Sequence, residues 1–220
     1  MITVIDYGAG NLRSVENALR YLQAPFRVTS RAEDVAQASA ILLPGVGHFG
    51  QMMRSLELLG LVPMLREALG RGVPYLGICL GMHALYERSE EAPSWPGLAI
   101  LRGAIHRFAP GLKVPHMGWN QLQIASGTRL FQKIGAEPFV YFAHSYYLPA
   151  EENLPFDEKS FRAAAMADYG VSFVAAVEKN NIHGVQFHPE KSGELGLQML
   201  RNFVEASLRP SGRKPAVQGG

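Results

Sequence analysis

The residue best suited to covalent chemistry is Cys79, the only cysteine among the 220 residues of the chain. It stands in Gly77-Ile78-Cys79-Leu80-Gly81, between an apolar run at residues 73–76 and a helix-like run at residues 82–87. A residue at such a strand-to-helix turn projects outward, and its neighbours two positions away must be small. N–H groups at the start of the helix favour a thiolate. The segment predicts a nucleophile, with a buried structural cysteine as the alternative.

A thiol nucleophile needs a base, and His188 is the histidine best placed to be one. Glu190 follows it closely, so on an extended segment the two side chains point to the same side, and Pro189 stiffens the link. The carboxylate would orient the imidazole and stabilise its charged form. An isolated His-Pro-Glu favours a surface turn, but its pairing with a single cysteine on a turn favours a triad of Cys79, His188 and Glu190.

Two glycine-rich segments follow apolar runs in the first half of the chain. Pro44-Gly45-Val46-Gly47-His48-Phe49-Gly50 can turn backbone N–H groups inward at positive φ, which suits an oxyanion hole or a phosphate cradle. It lacks the lysine and the spacing of a nucleotide-binding loop, so we exclude nucleotide phosphate. Asp6-Tyr7-Gly8-Ala9-Gly10-Asn11 holds half of a dinucleotide-binding pattern. We interpret it instead as a tight turn into a helix capped by Asn11.

The elements that must position these residues alternate between strand and helix in the first half. Apolar runs predict strands at residues 2–5, 26–29, 40–43 and 73–78. Helical periodicity covers residues 11–23 and 52–69, with a break near Gly60 and Pro63. This alternation predicts a parallel sheet with helices on both faces, and ligands of such sheets gather at the carboxyl ends of the strands. Cys79 and both glycine-rich segments would lie there.

The second half of the chain predicts further strands and one final helix. The strands are expected at residues 98–108, 121–124, 139–148, 162–169 and 173–179, and the helix at residues 194–208. We therefore expect an α/β fold with a mixed, mostly parallel central sheet flanked by helices and an added antiparallel portion. Residues 1–208 would form a single domain. Residues 209–220 lack periodicity and are expected to be a flexible tail.

The composition is that of an ordinary globular protein and excludes several classes. With 47% apolar and 18% charged residues, the chain can bury a sizeable core. A net charge of +2, from 21 basic and 19 acidic side chains, offers no basic surface for nucleic acid. One cysteine cannot form an internal disulfide, the first residues lack a signal-peptide pattern, and no apolar run of about 18 residues could span a bilayer. We expect a cytoplasmic protein that binds neither nucleic acid nor membrane.

Taken together, the motifs resemble those of the class I, triad-type glutamine amidotransferases. The resemblance rests on Pro44-Gly45-Val46-Gly47, Gly77-Ile78-Cys79-Leu80-Gly81 and His188-Pro189-Glu190, in that order. Three further segments narrow it to the glutaminase subunits of imidazole glycerol phosphate synthase: Asp6-Tyr7-Gly8-Ala9-Gly10-Asn11-Leu12, Pro115-His116-Met117-Gly118-Trp119-Asn120 and Tyr141-Phe142-Ala143-His144-Ser145-Tyr146-Tyr147. The similarity extends over nearly the whole chain, to about Leu208.

The resemblance implies a two-subunit reaction without a cofactor or a metal. The chain would hydrolyse glutamine to glutamate and ammonia with Cys79 as nucleophile, His188 as base and acid, and Glu190 holding His188. The oxyanion would be bound by the N–H of Leu80 and by backbone of Val46 and Gly47, which has to reorient for activity. The ammonia would pass to a (β/α)8-barrel cyclase subunit, which makes imidazole glycerol phosphate and the aminoimidazole carboxamide ribonucleotide, AICAR, in histidine biosynthesis. We therefore expect low activity without the cyclase.

The resemblance also implies substrate and partner contacts. The residues that would bind glutamine are Gly45, His83, Glu91, Ser145 and Tyr146. His83 stands where relatives usually carry glutamine, and an imidazole does not reproduce the hydrogen bonds of an amide. The residues that would face the cyclase are Asn11, Trp119, Asn120, Tyr141 and Lys191. Core packing is the alternative for Trp119, although interfaces are enriched in tryptophan.

Two other functions are compatible with these residues. Another triad glutaminase or a γ-glutamyl hydrolase would share the triad but differ in residues 115–120 and 141–147. An inactive regulatory subunit of the same fold is the second alternative, and the intact triad argues against it.

Overall fold

The computed structural model describes residues 1–9, 11–135, 138–152 and 161–208. Strands and helices alternate in the first half: β1 (Ile2–Ile5), α1 (Leu12–Tyr21), β2 (Phe26–Thr29), α2 (Ala32–Ala36), β3 (Ile41–Gly45), α3 (Phe49–Leu58), α4 (Leu61–Gly70), β4 (Tyr75–Cys79) and α5 (Leu80–His83). Strands predominate in the second half: β5 (Arg88–Ser89), β6 (Ala104–Arg107), β7 (His116–Gln121), β8 (Gln123–Ile124), β9 (Phe139–His144), β10 (Tyr146–Pro149), β11 (Arg162–Asp168), β12 (Ser172–Lys179) and β13 (Ile182–Val185). The last helix is α6 (Gly193–Leu208), and short 3-10 turns occupy Ala150–Glu152 and Pro189–Lys191.

In the described part of the chain, eleven strands form one mixed sheet in the order β2-β1-β3-β4-β13-β12-β10-β6-β5, with β11 on β12 and β8 on β11. The neighbouring strands β2, β1, β3, β4 and β13 are mutually parallel. Strands β12, β10 and β11 add an antiparallel portion. The predicted fold class is therefore confirmed. Strands β7 and β9 pair separately as a two-stranded antiparallel sheet.

Helices cover both faces of the parallel strands, and successive strand residues pack into opposite layers. On β3, Leu42 packs in the layer that contains α1 and α6, whereas Ile41 and Leu43 pack in the layer that contains α3 and α4. Each such fully buried aliphatic side chain contributes roughly 1.5–3 kcal/mol to stability. On β4, Leu76 and Cys79 pack in the first layer and Tyr75 packs in the second, so the strand that carries the cysteine is held on both sides.

The predicted strand at residues 98–108 is too long. Only Ala104–Arg107 forms a strand. Before it the chain folds back, because the N–H of Leu98 donates to the carbonyl of Ala84 at 2.7 Å and that of Ile100 donates to Leu85 at 2.9 Å. These backbone groups are therefore used by a turn and cannot join a strand ladder.

The predicted helix at residues 82–87 is also wrong in extent. Helix α5 covers only Leu80–His83, and beyond it the N–H groups of Leu85 and Tyr86 donate to carbonyls three residues earlier, as in tight turns. A helix of four residues has a small macrodipole, so its contribution to the thiol is limited to the nearest N–H groups.

Strand β7 and helix α2 were not predicted. The sequence of β7 contains Gly118 and Asn120, which disfavour strands, but residue-by-residue pairing with β9 overrides that propensity. Helix α2 has only five residues and is tied to β2, because Asp34 accepts hydrogen bonds from Arg27 at 2.9 Å and Thr29 at 2.6 Å. The predicted tail at residues 209–220 lies outside the described residues, and the single-domain boundary stays a prediction. Within the described ranges, none of the helices has the length and apolar character needed to cross a membrane.

Candidate active site

Cys79 lies at the sharp turn between β4 and α5, with a backbone φ of +52°. A non-glycine residue in this region costs about 1–3 kcal/mol and is retained where the surroundings impose it. A Cβ on Gly77 would overlap the carbonyl of Gly81, and one on Gly81 would overlap the carbonyl of Leu43. The hydroxyl of Tyr75 donates to the Gly81 carbonyl at 2.7 Å and closes the turn. The glycines are thus required by close backbone approach.

Strand pairing brings the glycine-rich segment beside the cysteine, since Gly45 on β3 is paired with Cys79 on β4. A Cβ at Gly45 would come within 2.5 Å of the Leu80 Cβ, so only glycine permits this approach. Gly47 has a φ of +98°, and a Cβ there would meet no atom within 4 Å. Gly47 is therefore needed for its backbone conformation and not for close packing.

His188 and Glu190 form a buried pair behind the cysteine. The Nδ1 of His188 lies 2.9 Å from Glu190 Oε1, and both side chains are 2% exposed. Glu190 lies in the 3-10 turn Pro189–Lys191 and not on the extended segment that the sequence predicted. Burial opposes charge on the imidazole, but hydrogen bonds and attraction from Cys79 and Glu190 prevail and raise the pKa of His188 to about 10. Because Glu190 occupies Nδ1, the hydrogen bond to Cys79 falls to Nε2.

An amide that sequence reasoning missed, Gln186, lies between His83 and the cysteine. Its Oε1 is 2.7 Å from His83 Nε2, and its Nε2 donates to Cys79 Sγ at 3.6 Å. Burial lowers the pKa of His83 to about 4, although the hydrogen bond with Gln186 works in the opposite direction. The feature of the sequence that could have indicated Gln186 is its position as an amide between two apolar residues, in Val185-Gln186-Phe187.

A cavity of about 130 Å³ opens beside the Cys79 sulfur. Its walls are Val46, Gly47, Cys79, Leu80, His83, Glu91, Pro115, Ala143, His144, Ser145 and Tyr146. Besides the nucleophile, seven of these residues were predicted to bind the oxyanion or the substrate. Pro115, Ala143 and His144 were not predicted. Gly45 lies beneath Leu80 and does not line the cavity. Among the residues described, no group of three or more His, Cys, Asp or Glu side chains could hold a metal ion.

Glu91 connects the cavity to the start of α3. One of its carboxylate oxygens, Oε2, accepts a hydrogen bond from the N–H of Phe49 at 2.8 Å. His48 caps the same helix, because its Nδ1 accepts from the N–H of Gly50 at 3.1 Å. The glycine-rich segment and the acidic wall of the cavity are thereby held together.

Two buried histidines extend from the cavity wall into an aromatic cluster. His144 Nδ1 lies 2.9 Å from the Tyr146 carbonyl, and its Nε2 lies 3.0 Å from His116 Nδ1. The ring of His116 stacks between Phe142 at 4.9 Å and Tyr169 at 4.0 Å. Burial lowers the pKa of His116 to about 4 and that of His144 well below its ordinary value. Both rings are neutral at pH 7, so each donates from one nitrogen and accepts at the other.

The outward face of the β7–β9 sheet is apolar. Met117, Trp119 and Phe139 are 62%, 56% and 53% exposed. Trp119 pairs directly with Tyr141, their rings 6.2 Å apart, and the Lys191 ammonium lies 5.8 Å from the Tyr141 ring centre. The structure therefore brings together three of the residues predicted to face a partner. It excludes the alternative that Trp119 packs in the core.

The other two residues predicted to face a partner lie apart from this face. The Asn120 amide donates to the carbonyl of Asp168 at 2.8 Å and lies 3.4 Å from His116 Nε2. Asn11 occupies the position before α1, but its side chain makes no capping hydrogen bond to the helix backbone and donates instead to Ser14 Oγ at 2.8 Å. The predicted cap is therefore wrong in its hydrogen bonding.

Comparison with known proteins shows the family of the chain. The family model "Glutamine amidotransferase class-I" matches residues 3–206. The imidazole glycerol phosphate synthase subunit HisH of Methanothermobacter thermautotrophicus is 48% identical over 206 residues, which cover 93% of this chain and 98% of that protein. The subunit of the same name from Deinococcus radiodurans is 44% identical over 204 residues, or 92% of each chain.

A solved structure supports the fold at much lower sequence similarity. The crystal structure of a glutamine amidotransferase superposes with a TM-score of 0.73 at 18% identity, covering 94% of this chain and 99% of the other. The family model spans nearly the whole described chain and the two relatives exceed 40% identity. The chain belongs to the class I glutamine amidotransferase family.

Proposed function

We propose that this protein is the glutaminase subunit of imidazole glycerol phosphate synthase. It hydrolyses glutamine to glutamate and ammonia, and supplies the ammonia to a (β/α)8-barrel cyclase subunit for histidine biosynthesis in the cytoplasm. The observation that carries the proposal is the position of the His188 imidazole, between the Cys79 sulfur and the Glu190 carboxylate at 2.9 Å. The names of relatives at 44–48% identity support the assignment to this synthase.

Acylation begins with the Cys79 thiolate, which attacks the carbonyl carbon of the glutamine side chain. The raised pKa of His188 keeps a proton on its imidazole, and this proton is transferred to the amide nitrogen as the C–N bond breaks. Ammonia leaves, and the glutamyl group remains on sulfur as a thioester. Glu190 stabilises the imidazolium before the transfer and holds its tautomer afterwards.

Deacylation reverses the direction of proton transfer. Neutral His188 takes a proton from water, the hydroxide attacks the thioester carbonyl, and the C–S bond breaks to release glutamate. The thiolate and the imidazolium are then restored. The proton transfers of both steps need no group other than the triad and water.

The oxyanion of both tetrahedral intermediates would be held by the Leu80 N–H and by a peptide of Val46 and Gly47. Each such donor is typically worth a factor of about 10²–10³ in rate. Gly47 has a positive φ and no atom within 4 Å of the position of a Cβ, which is compatible with a turn of this peptide. A hole completed only with the partner bound would prevent loss of ammonia when no acceptor is present.

The cyclase would dock on the outward face of β7 and β9, where Trp119, Tyr141 and Lys191 meet. Exposed aromatic side chains next to a cation are typical of protein interfaces. This face is close in the chain to the cavity wall, since Ala143 and His144 line the cavity and lie on the same strand as Tyr141.

Glutamate release measured for the purified chain, alone and with a barrel cyclase and its nucleotide, tests the proposal. We expect low release alone and a rise of about a hundredfold in the complex, within the usual range of coupling between sites. Cys79→Ser should abolish both rates. A free chain as active as the complex would contradict partner control, and a complex that releases no glutamate would contradict the function itself.

Labelling with a glutamine-like electrophile separates the alternatives. Labelling of Cys79 that increases with cyclase and nucleotide supports the proposal. Labelling that ignores the cyclase indicates another triad glutaminase or a γ-glutamyl hydrolase, and no labelling indicates an inactive subunit. The single cysteine makes the modified site unambiguous.

A further inference from the structure

Gln186 is a fully buried amide immediately after β13, next to the nucleophile. Its Nε2 lies 3.6 Å from Cys79 Sγ and its Oε1 lies 2.7 Å from His83 Nε2. Taking an unpaired amide out of water costs free energy, so both ends of a buried amide need partners. The partners here are the sulfur and a histidine, and the triad mechanism uses neither contact.

The thiolate determines which way the amide points. A carbonyl oxygen directed to the sulfur would face an atom that becomes negatively charged, so the NH₂ group of Gln186 is directed to the sulfur and Oε1 to His83. Because Oε1 can only accept, the His83 proton is on Nε2. A single N–H is what a neutral imidazole offers, and His83 is neutral at pH 7 because burial lowers its pKa to about 4.

We propose that Gln186 is a further catalytic residue, whose amide N–H hydrogen-bonds the Cys79 sulfur and stabilises its thiolate, and that His83 is the positioning residue that fixes the amide. This inference rests on the proposed function only in taking Cys79 as the nucleophile. His188 supplies a charged donor to the sulfur, and Gln186 supplies a neutral one.

The requirement at position 83 is a donor toward Gln186. A glutamine there would meet it, because its NH₂ group can donate to Gln186 Oε1 just as His83 Nε2–H does. The buried Nδ1 of His83, which lacks a hydrogen-bond partner, is not needed for that role.

The thiolate of the single cysteine can be titrated directly by its ultraviolet absorbance, with Cys79→Ser as the blank. Gln186→Met keeps a flexible side chain of similar length but removes the donor. We expect the midpoint of thiolate formation to rise by roughly one pH unit, the usual size of a lost hydrogen bond to a charged form. His188 and Tyr7, which interact electrostatically with the thiol, are unchanged in this variant.

Variants at position 83 test the positioning role. His83→Leu removes the donor and should shift the thiol midpoint in the same direction as Gln186→Met, whereas His83→Gln should restore the wild-type midpoint. Asn181→Ala is the matched control, because the Asn181 amide donates to Val73 at 2.7 Å and Leu69 at 3.2 Å near the opposite ends of β4 and β13. It should lower stability without moving the midpoint.

An unchanged midpoint in Gln186→Met, with circular dichroism as for wild type, would overturn the proposal. A shift in Asn181→Ala equal to that in Gln186→Met would do the same. If Gln186→Met does not fold, Gln186→Glu replaces it and should raise the midpoint further, because a carboxylate repels the thiolate. Glutamate release by the wild-type complex is measured in parallel, so failure of the glutaminase proposal is seen separately.

Discussion

His188 is buried beside a carboxylate, whereas His83, His116 and His144 are buried among amide, carbonyl and aromatic groups. The pKa of His188 is raised to about 10, while those of His83 and His116 are lowered to about 4. Burial disfavours the charged imidazole in all four cases. The difference is made by the partners, because Glu190 and the Cys79 sulfur attract a proton that carbonyls and amides do not hold strongly enough.

Histidine side chains therefore serve two purposes around this cavity. A charged imidazole can give a proton to a leaving group, and His188 is in that state. A neutral imidazole has one donor and one acceptor in fixed positions, which suits it to orient Gln186 or the Tyr146 carbonyl.

Replacing the Glu190 carboxylate should remove the difference between His188 and the other buried histidines, and we expect it to have the largest effect on activity. In Glu190→Gln we expect glutaminase kcat in the complex to fall by about 10³–10⁴, as when a triad loses its orienting acid. The His188 pKa should fall toward those of the other buried histidines, which NMR titration can follow.

Glu178→Gln is the matched control for Glu190→Gln. Glu178 also lies beside a buried histidine, 3.7 Å from His183 Nδ1, but outside the cavity. The Glu178→Gln variant should have a lower free energy of unfolding and a kcat within about twofold of wild type. Equal losses of kcat in the two variants would mean that fold integrity, and not the His188 carboxylate, sets the rate.

The two environments should also appear as opposite slopes of stability with pH. The folded protein holds the His188 proton up to about pH 10 but the unfolded chain loses it near 6.5, so this contribution falls as pH rises through that window. For His116 the unfolded chain gains a proton below 6.5 and the folded protein only near 4, so that contribution falls as pH falls.

Free energies of unfolding in urea from pH 4 to pH 10 measure both slopes. His188→Gln should flatten the alkaline side and His116→Gln the acid side, each by about 1 kcal/mol per pH unit within its window. Parallel curves for wild type and either variant would show that the histidine in question does not titrate as described.

The smallest effect is expected from the neutral histidine on the cavity wall. His144→Phe keeps the ring contacts with Phe108 at 5.3 Å and Phe173 at 5.3 Å but removes the hydrogen bonds to the Tyr146 carbonyl and to His116 Nδ1. We expect kcat/KM for glutamine to fall by about five- to tenfold, mostly through KM, because only the hydrogen bond to Tyr146 orients a residue of the cavity wall and one hydrogen bond is worth about 1 kcal/mol.

Tyr169→Phe keeps the stack on His116 and removes only a hydroxyl that donates to the Lys113 carbonyl at 2.8 Å. It should leave kcat/KM unchanged. A loss in Tyr169→Phe as large as in His144→Phe would indicate a general effect of the aromatic cluster.

The pairing of His188 with Glu190 was predictable from the sequence, whereas the surroundings of the neutral histidines were not. Cys79 is framed by glycines on a strand-to-helix turn, and Glu190 is two residues from His188, so local spacing carries that information. His83 and Gln186 are 103 residues apart, and His116 and His144 are 28 apart. Their contacts depend on the order of strands in the sheet, which no local pattern encodes.

The same distinction holds for the fold. Strands β1 and β2 agree with their predicted bounds, because an apolar run between turns is a local signal. Strand β7 depends on its pairing with β9, and the strand predicted at residues 98–108 lost its first part to backbone hydrogen bonds with Ala84 and Leu85.

The backbone of Tyr141 is held at both ends by the segment that carries His188. Its carbonyl accepts from the His188 N–H at 2.9 Å, and its N–H donates to Ser192 Oγ at 3.0 Å. Its ring meanwhile faces outward beside Trp119. Through this one residue, the exposed aromatic face is connected by backbone hydrogen bonds to the main chain of His188.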